Sequence, residues 1–188
     1  MPEIKLFHFT PTRSKRVVWA LEEAGLAYDM EGPGQEVFDH PELESAHPLK
    51  KLPAALVDGK PLFESAALVT YFGDLVPEKG LVAKPYTFER AQHDQWCHFN
   101  MTEMEAWLWA SAINTFVLPE EERLDVVHEQ NKQLFRRGAA AMDQHLESSD
   151  YLVGNTFSMA DVLTGFTVNW GRGQGWLDGF QNLHGYLD

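Results

Sequence analysis

Apolar positions along this chain fall into two regimes, strand-like alternation and helix periods in the first part and helix periods alone in the second. Residues 3–9, EIKLFHF, predict a first strand. Residues 13–24, RSKRVVWALEEA, follow with Val17, Val18, Ala20, Leu21 and Ala24 at helical spacing. Gly25 stands where a helix-ending glycine belongs. LAYDM, 26–30, predicts a second strand, so the opening reads βαβ with a parallel pair and a right-handed crossover. Residues 37–49 are irregular apart from one helical turn at PELESA. AALV and KPLF follow, joined by Asp58-Gly59, a two-residue hairpin signal. From Ser65, SAALVTYFGDLV predicts a helix stopped by Pro77.

Residues 78–87, EKGLVAKPYT, read as a linker. Beyond Phe88 no strand pattern recurs. A long helix is expected over about 86–117, and Pro119 with Glu120 to Glu122 is expected to open another running to about 147. After the loop SSDYLVGNTF, Ser158 caps a further helix, with Asp161 at the third position as the second half of a capping box. The expected organisation is an α/β domain over 1–77 in the order βαβ–ββα, a linker over 78–87 and an all-helical domain over 88–188.

Charge narrows the classes of partner. The 188 residues carry a formal net charge of -13, which repels nucleic acid and anionic membrane surfaces. The balance is uneven: -4 over residues 1–84 and -9 over 85–188. The first part also holds two basic clusters, Arg13/Lys15/Arg16 and Lys50/Lys51, so a small anionic ligand is expected there. The single cysteine, Cys97, excludes an internal disulfide and a dithiol site, and fits a reducing, cytoplasmic setting. No apolar run is long enough to span a membrane, and the start MPEIKLFHF is too short and polar for a signal peptide.

Three stretches could carry chemistry. Leu52-Pro53 begins a strand on proline, which leaves the backbone of Leu52 free to pair with an extended peptide; a plain strand start is the bland alternative. Glu64-Ser65 lies at a strand-to-helix junction. Ser65 is an N-cap candidate, the free N–H groups there suit a carboxylate, and Glu64 suits an ammonium group. The turn TPTRS, 10–14, opens the first helix, where a hydroxyl could stabilise a thiolate or merely cap the helix.

Taken together, KLFHFTPTRSKRVVWALEEAGLAYDM, HPLKKLPAALVDGKPLFESAALVTYF, ERAQHDQW and YLVGNTFSMADV resemble the cytosolic glutathione transferase family, in its bacterial or theta-like, serine/threonine type. The resemblance covers essentially the whole chain. It implies a thioredoxin-like N-terminal domain, an all-α helical-bundle C-terminal domain, a homodimer, and glutathione as co-substrate with no metal. It further implies that Leu52, before a cis Pro53, pairs with the cysteinyl part of glutathione. Glu64 and Ser65 would hold the γ-glutamyl end, with Lys51 and more weakly His40 near the glycine carboxylate. Thr12 matches the serine that contacts sulfur, with Ser14 as its rival. A second-substrate pocket would draw on His8, Phe9, Phe116 and one of Trp107 and Trp109, most simply Trp107.

The chain departs from the family in places. No Tyr or Cys lies in residues 3–16, which excludes a tyrosine-type member and disfavours glutaredoxin-like chemistry. The final NLHGYLD falls short of where family members usually continue. The activity implied is conjugation of glutathione thiolate to a small hydrophobic electrophile. A glutathione-dependent disulfide or peroxide reductase and a non-catalytic scaffold are the alternatives. Other motifs carry less: GRGQG, 171–175, follows a helix rather than a strand, and His93 and His98 lack the spacing of metal ligands. Asp94 and His98 are expected to form a surface pair, and Cys97 to be a buried core thiol.

Overall fold

A computed structural model describes residues 1–32 and 34–188. The chain divides into two compact units, Met1–Pro85 and Tyr86–Asp188. The first is built from β1 (Ile4–Phe7), α1 (Lys15–Ala24), β2 (Asp29–Glu31), α2 (Leu43–Ala46), β3 (Ala54–Val57), β4 (Lys60–Phe63) and α3 (Ser65–Asp74). The strands lie in the order β2-β1-β3-β4, with β1 parallel to β2 and antiparallel to β3. This is the expected βαβ–ββα arrangement.

The hairpin forms where Asp58-Gly59 predicted it. Both residues have positive φ, 48° and 74°, which a two-residue turn of this hand requires and which glycine adopts without strain. Central strand β3 is buried along its whole length, as its unbroken apolar run requires. Phe7, Ala54 and Leu56 pack with Val37, Leu43, Ala46 and Leu52 on one face of the sheet. On α1, buried Val17, Ala20, Leu21 and Ala24 form the stripe read from the sequence, and α1 packs beside α3.

Several boundaries moved. The first strand ends at Phe7 rather than residue 9, because the chain turns there and the Thr12 N–H bonds back to the Phe9 carbonyl at 2.8 Å. The second strand starts at Asp29 rather than 26, since Leu26 N–H is held by the Leu21 carbonyl in the end of α1.

Every regular element of the second unit is a helix. Helix α4 (Phe88–Phe99) runs through a wide π-type stretch, Asn100–Glu105, into α5 (Ala106–Ala112), and a second π-type stretch, Ile113–Val117, ends it. The buried Asn100 amide donates to Thr167 Oγ1 at 3.2 Å across to α7 (Met159–Gly173). The expected start at Glu120 to Glu122 fails: those residues form a single 3-10 turn, and α6 spans Val126–His145. The Asn114 side chain holds both the N–H and the carbonyl of Leu124, at 3.0 and 2.9 Å, and so fixes an extended link before α6. At Gly138 the backbone of α6 passes so close to the π-type stretch that a Cβ would sit 2.6 Å from the Glu103 carbonyl oxygen. Asp94 pairs with Arg90 at 3.6 Å rather than with His98.

The capping box read at Ser158 and Asp161 is present in full. Asp161 accepts the Ser158 N–H and hydroxyl, each at 2.8 Å, and the Leu152 N–H at 3.0 Å. It also accepts the Tyr186 hydroxyl, at 2.9 Å, from α8 (Gln181–Tyr186). Cys97 is buried beside His93, and burial pushes its thiol up to about 12, so it stays protonated at neutral pH. No described helix is long and apolar enough to cross a membrane.

Candidate functional site

The strand register gathers the three stretches of interest. Phe7, the last residue of β1, pairs with Ala54, the first of β3, and Ala54 pairs with Phe63, the last of β4. The turn after β1, the Leu52-Pro53 peptide before β3 and Glu64-Ser65 after β4 therefore lie at one end of the sheet.

At that end, Leu52-Pro53 is cis, and neither the N–H nor the carbonyl of Leu52 has a hydrogen-bond partner among the described residues. Glu64 has φ 70°, a left-handed conformation unusual for a residue with a side chain. Glu64, not Ser65, is the N-cap of α3, and no side chain caps this helix. Ser65 does not cap it as expected, because its hydroxyl turns inward and accepts the Arg16 Nη1–H at 3.1 Å. The first N–H groups of α3 thus keep no side-chain cap.

Arg16 reads in the sequence only as part of a basic cluster. It is fully buried and ties the start of α1 to the start of α3. The signal was available: Arg16 falls on the buried stripe of α1, four residues before Ala20, and a charge on an apolar stripe is costly unless it is held by partners.

His47 is a further member of this end. It is buried, packs tilted against Phe63 with ring centroids 4.8 Å apart, and accepts the Leu49 N–H at 3.0 Å. Burial lowers its pKa, helped by the charges of Lys51 and Arg13 and opposed by Glu64. Lys51 and Glu64 are exposed. His40 is half-buried, edge-on to Phe7 at 5.2 Å, and its Nδ1 accepts the Glu42 N–H.

The turn after β1 holds a cluster of hydroxyl groups. Ser14 is fully buried and Thr12 is half-buried. Ser14 Oγ lies 2.6 Å from Thr12 Oγ1 and 2.9 Å from His8 Nδ1. His8, considered above for a second-substrate pocket, is buried and engaged by Ser14 and Thr10. Phe9 packs against the sheet core and meets Phe38 edge-on at 6.0 Å.

Burial, with the Lys15 charge nearby, also lowers the His8 pKa. Both histidines are therefore neutral in the folded state where the unfolded chain protonates near the usual 6.5. Their contribution is fully present above that value and is lost as pH falls below it. A urea titration at pH 7.5 and at pH 5.5 should show lower stability at the lower pH. The drop should be smaller in the His8→Asn/His47→Asn double variant, and an equal drop would refute the assignment.

In the second unit, Phe116 helps line a cavity of about 140 Å³ together with Leu108, Ser111, Thr115, His128 and Trp170. Trp107 is half-buried and does not line it. Among the described residues no cluster of His, Cys, Asp and Glu could hold a metal ion.

Comparison with known proteins agrees with this geometry. Residues 2–74 match the glutathione S-transferase N-terminal domain, and residues 101–188 match the C-terminal domain of the same enzymes. Glutathione S-transferase 3 of Schizosaccharomyces pombe is 29% identical over 185 residues, covering 88% of this chain and 73% of that protein. The crystal structure of a glutathione transferase from Methylococcus capsulatus superposes with a TM-score of 0.83 at 26% identity, covering 98% of this chain and 90% of the other. A sphingomonad glutathione S-transferase complexed with glutathione shares the fold, with a TM-score of 0.82 at 22% identity over 97% of this chain and 90% of its own. A thioredoxin-like unit followed by a helical unit is the architecture of these enzymes. This chain belongs to the cytosolic glutathione transferase family.

Proposed function

We propose that the protein binds glutathione as its thiolate at the end of the sheet defined by β1, β3 and β4, and conjugates it to a small hydrophobic electrophile. The observation that carries the reading is the convergence, through the register of Phe7, Ala54 and Phe63, of the Thr12 turn, the unpaired backbone of Leu52 and the uncapped start of α3.

Leu52 would pair with the cysteinyl backbone of glutathione as an added strand does. The γ-glutamyl carboxylate would meet the first N–H groups of α3 and the Ser65 hydroxyl, with Glu64 on the ammonium group. The helix end contributes about 0.3–1 kcal/mol toward an anion, before hydrogen bonds are added. Lys51 would meet the glycine carboxylate, and His40 is a weaker candidate. Sulfur falls to Thr12 rather than Ser14, since Ser14 is fully buried and Thr12 is half-exposed.

In the reaction, the thiol gives its proton to water and the Thr12 hydroxyl donates to the resulting thiolate. The sulfur electron pair forms the new C–S bond, and the leaving group departs with the pair of the bond it breaks. The protein supplies positioning and stabilisation of the anion. A homodimer and a cytoplasmic setting belong to the same reading.

Ser65→Ala tests the γ-glutamyl assignment. A hydrogen bond to a charged group contributes about 1.5–3 kcal/mol, so glutathione affinity measured by calorimetry should fall roughly 10- to 150-fold. An unchanged Kd would remove Ser65 from the site.

A further inference from the structure

The hydroxyl cluster after β1 has a direction that can be worked out by counting hydrogens. Three close contacts run in series. The Phe9 carbonyl oxygen is 2.6 Å from Thr12 Oγ1, which is 2.6 Å from Ser14 Oγ, which is 2.9 Å from His8 Nδ1. Each contact needs one hydrogen. The carbonyl has none and the two hydroxyls have one each, so the third must sit on His8 Nδ1. The chain therefore runs one way. His8 Nδ1–H donates to Ser14, the Ser14 hydroxyl donates to Thr12, and the Thr12 hydroxyl donates to the Phe9 carbonyl.

The opposite tautomer does not fit. With a bare Nδ1, Ser14 would donate to His8 and Thr12 to Ser14, and two oxygen lone pairs would face each other 2.6 Å apart at Phe9. The neighbouring groups agree with the first direction. The Phe9 N–H is a second donor to Ser14 Oγ, at 3.3 Å. His8 Nε2, left without hydrogen in the neutral ring, lies 3.0 Å from Thr10 Oγ1 and accepts from it. Burial and the Lys15 charge lower the His8 pKa and so favour the neutral ring.

Thr12 is the end of this chain and its least buried side chain. Its hydroxyl can rotate from the Phe9 carbonyl to an incoming sulfur, because that carbonyl keeps the Thr12 N–H at 2.8 Å. Having accepted from Ser14, the Thr12 hydroxyl is a polarised and stronger donor. Ser14 cannot take this role while its one hydrogen is committed to Thr12.

We infer that His8 is a positioning residue for the proposed reaction: its Nδ1–H orients the Ser14 and Thr12 hydroxyls so that Thr12 presents its hydrogen to the glutathione sulfur. The inference rests on the glutathione reading above. The ligand is a thiolate, and the device that selects it is the imidazole tautomer two hydroxyls away.

Nitrogen NMR of the wild-type imidazoles tests the tautomer without any substitution. His8 should carry its hydrogen on Nδ1 at neutral pH, and an Nε2–H tautomer with bare Nδ1 would overturn the inference. Two variants test the consequence. His8→Leu removes the donor, and His8→Asn places an amide N–H near the same point. The readouts are ultraviolet thiolate absorbance against pH at saturating glutathione, kcat and KM with an aromatic halide, and calorimetric binding of S-methylglutathione, which has no thiol. His8→Leu should titrate the bound thiol at higher pH and lose about tenfold or more in kcat, with S-methylglutathione affinity kept within about twofold. His8→Asn should recover most of that loss.

If His8→Leu binds S-methylglutathione normally and titrates the thiol as the wild type does, His8 positions nothing. A His8→Asn variant no better than His8→Leu would assign the loss to packing and refute the inference. Should His8→Leu fail to fold, the tautomer and the His8→Asn profile still decide. Wild-type protein that binds no glutathione at millimolar concentration would instead overturn the glutathione reading, and this inference with it.

Discussion

Replacing Asp161 by Ala is expected to destabilise the helical unit by about 3–4 kcal/mol, the largest effect of any single substitution named here. The carboxylate is buried and collects four donors from three places: two from Ser158 at the start of α7, one from Leu152 in the preceding loop and one from Tyr186 in α8. Burial pushes the Asp161 pKa up, and its four hydrogen bonds pull it back. Removal would leave the Leu152 and Ser158 N–H groups buried without acceptors, each a cost of about 1–3 kcal/mol, and would free the end of α8. The separate costs do not add in full, because the donors share one acceptor. Urea unfolding followed by tryptophan fluorescence gives the number. A loss under about 1 kcal/mol would show that the carboxylate caps α7 without tying the loop and α8 to it.

Thr12→Val should lower kcat/KM about 100-fold with an aromatic halide, while S-methylglutathione still binds nearly as well as to the wild type. Valine keeps the shape of threonine and removes the hydroxyl that the proposed reaction directs at sulfur. The effect should appear in kcat and in the pH at which the bound thiol ionises, because the hydrogen bond forms to the thiolate and little to a blocked sulfur. The variant also strands the Ser14 hydroxyl, whose hydrogen goes to Thr12, so some loss of stability is expected beside the loss of rate. A change in kcat/KM below about threefold would take the catalytic role away from Thr12.

Much of the architecture was legible because it rests on short-range signals. Asp58-Gly59 demands positive φ at two successive residues, and few other dipeptides supply it. Ser158 and Asp161 satisfy each other's backbone across three residues, so their spacing alone marks a helix start. Features set by distant partners were not legible in this way. Glu120 to Glu122 have the composition of a helix start, but Asn114 holds both backbone groups of Leu124 and delays α6 to Val126. In the π-type stretches Asn100–Glu105 and Ile113–Val117, the buried Asn100 and Asn114 amides bond to Thr167 and Leu124, 67 and 10 residues away.

The candidate site divides along the same line. Leu52-Pro53 and Glu64-Ser65 stand out in the sequence because a strand starting on proline and a carboxylate-hydroxyl pair at a helix start each need a local reason. The inward turn of the Ser65 hydroxyl depends on Arg16, which is 49 residues away. The link between His8 and Ser14 spans six residues and depends on a turn whose shape follows from the Phe9 carbonyl. Tertiary contacts of that kind leave a trace only in oddities, such as an arginine on an apolar stripe.

Whether this end of the sheet holds glutathione with its sulfur ionised is decided by titrating the ultraviolet thiolate absorbance of glutathione bound to the wild-type protein against pH. The bound thiol should have a pKa at least about one unit below the ~8.5 of a free thiol. Glutathione that binds with an unshifted thiol pKa would contradict that reading.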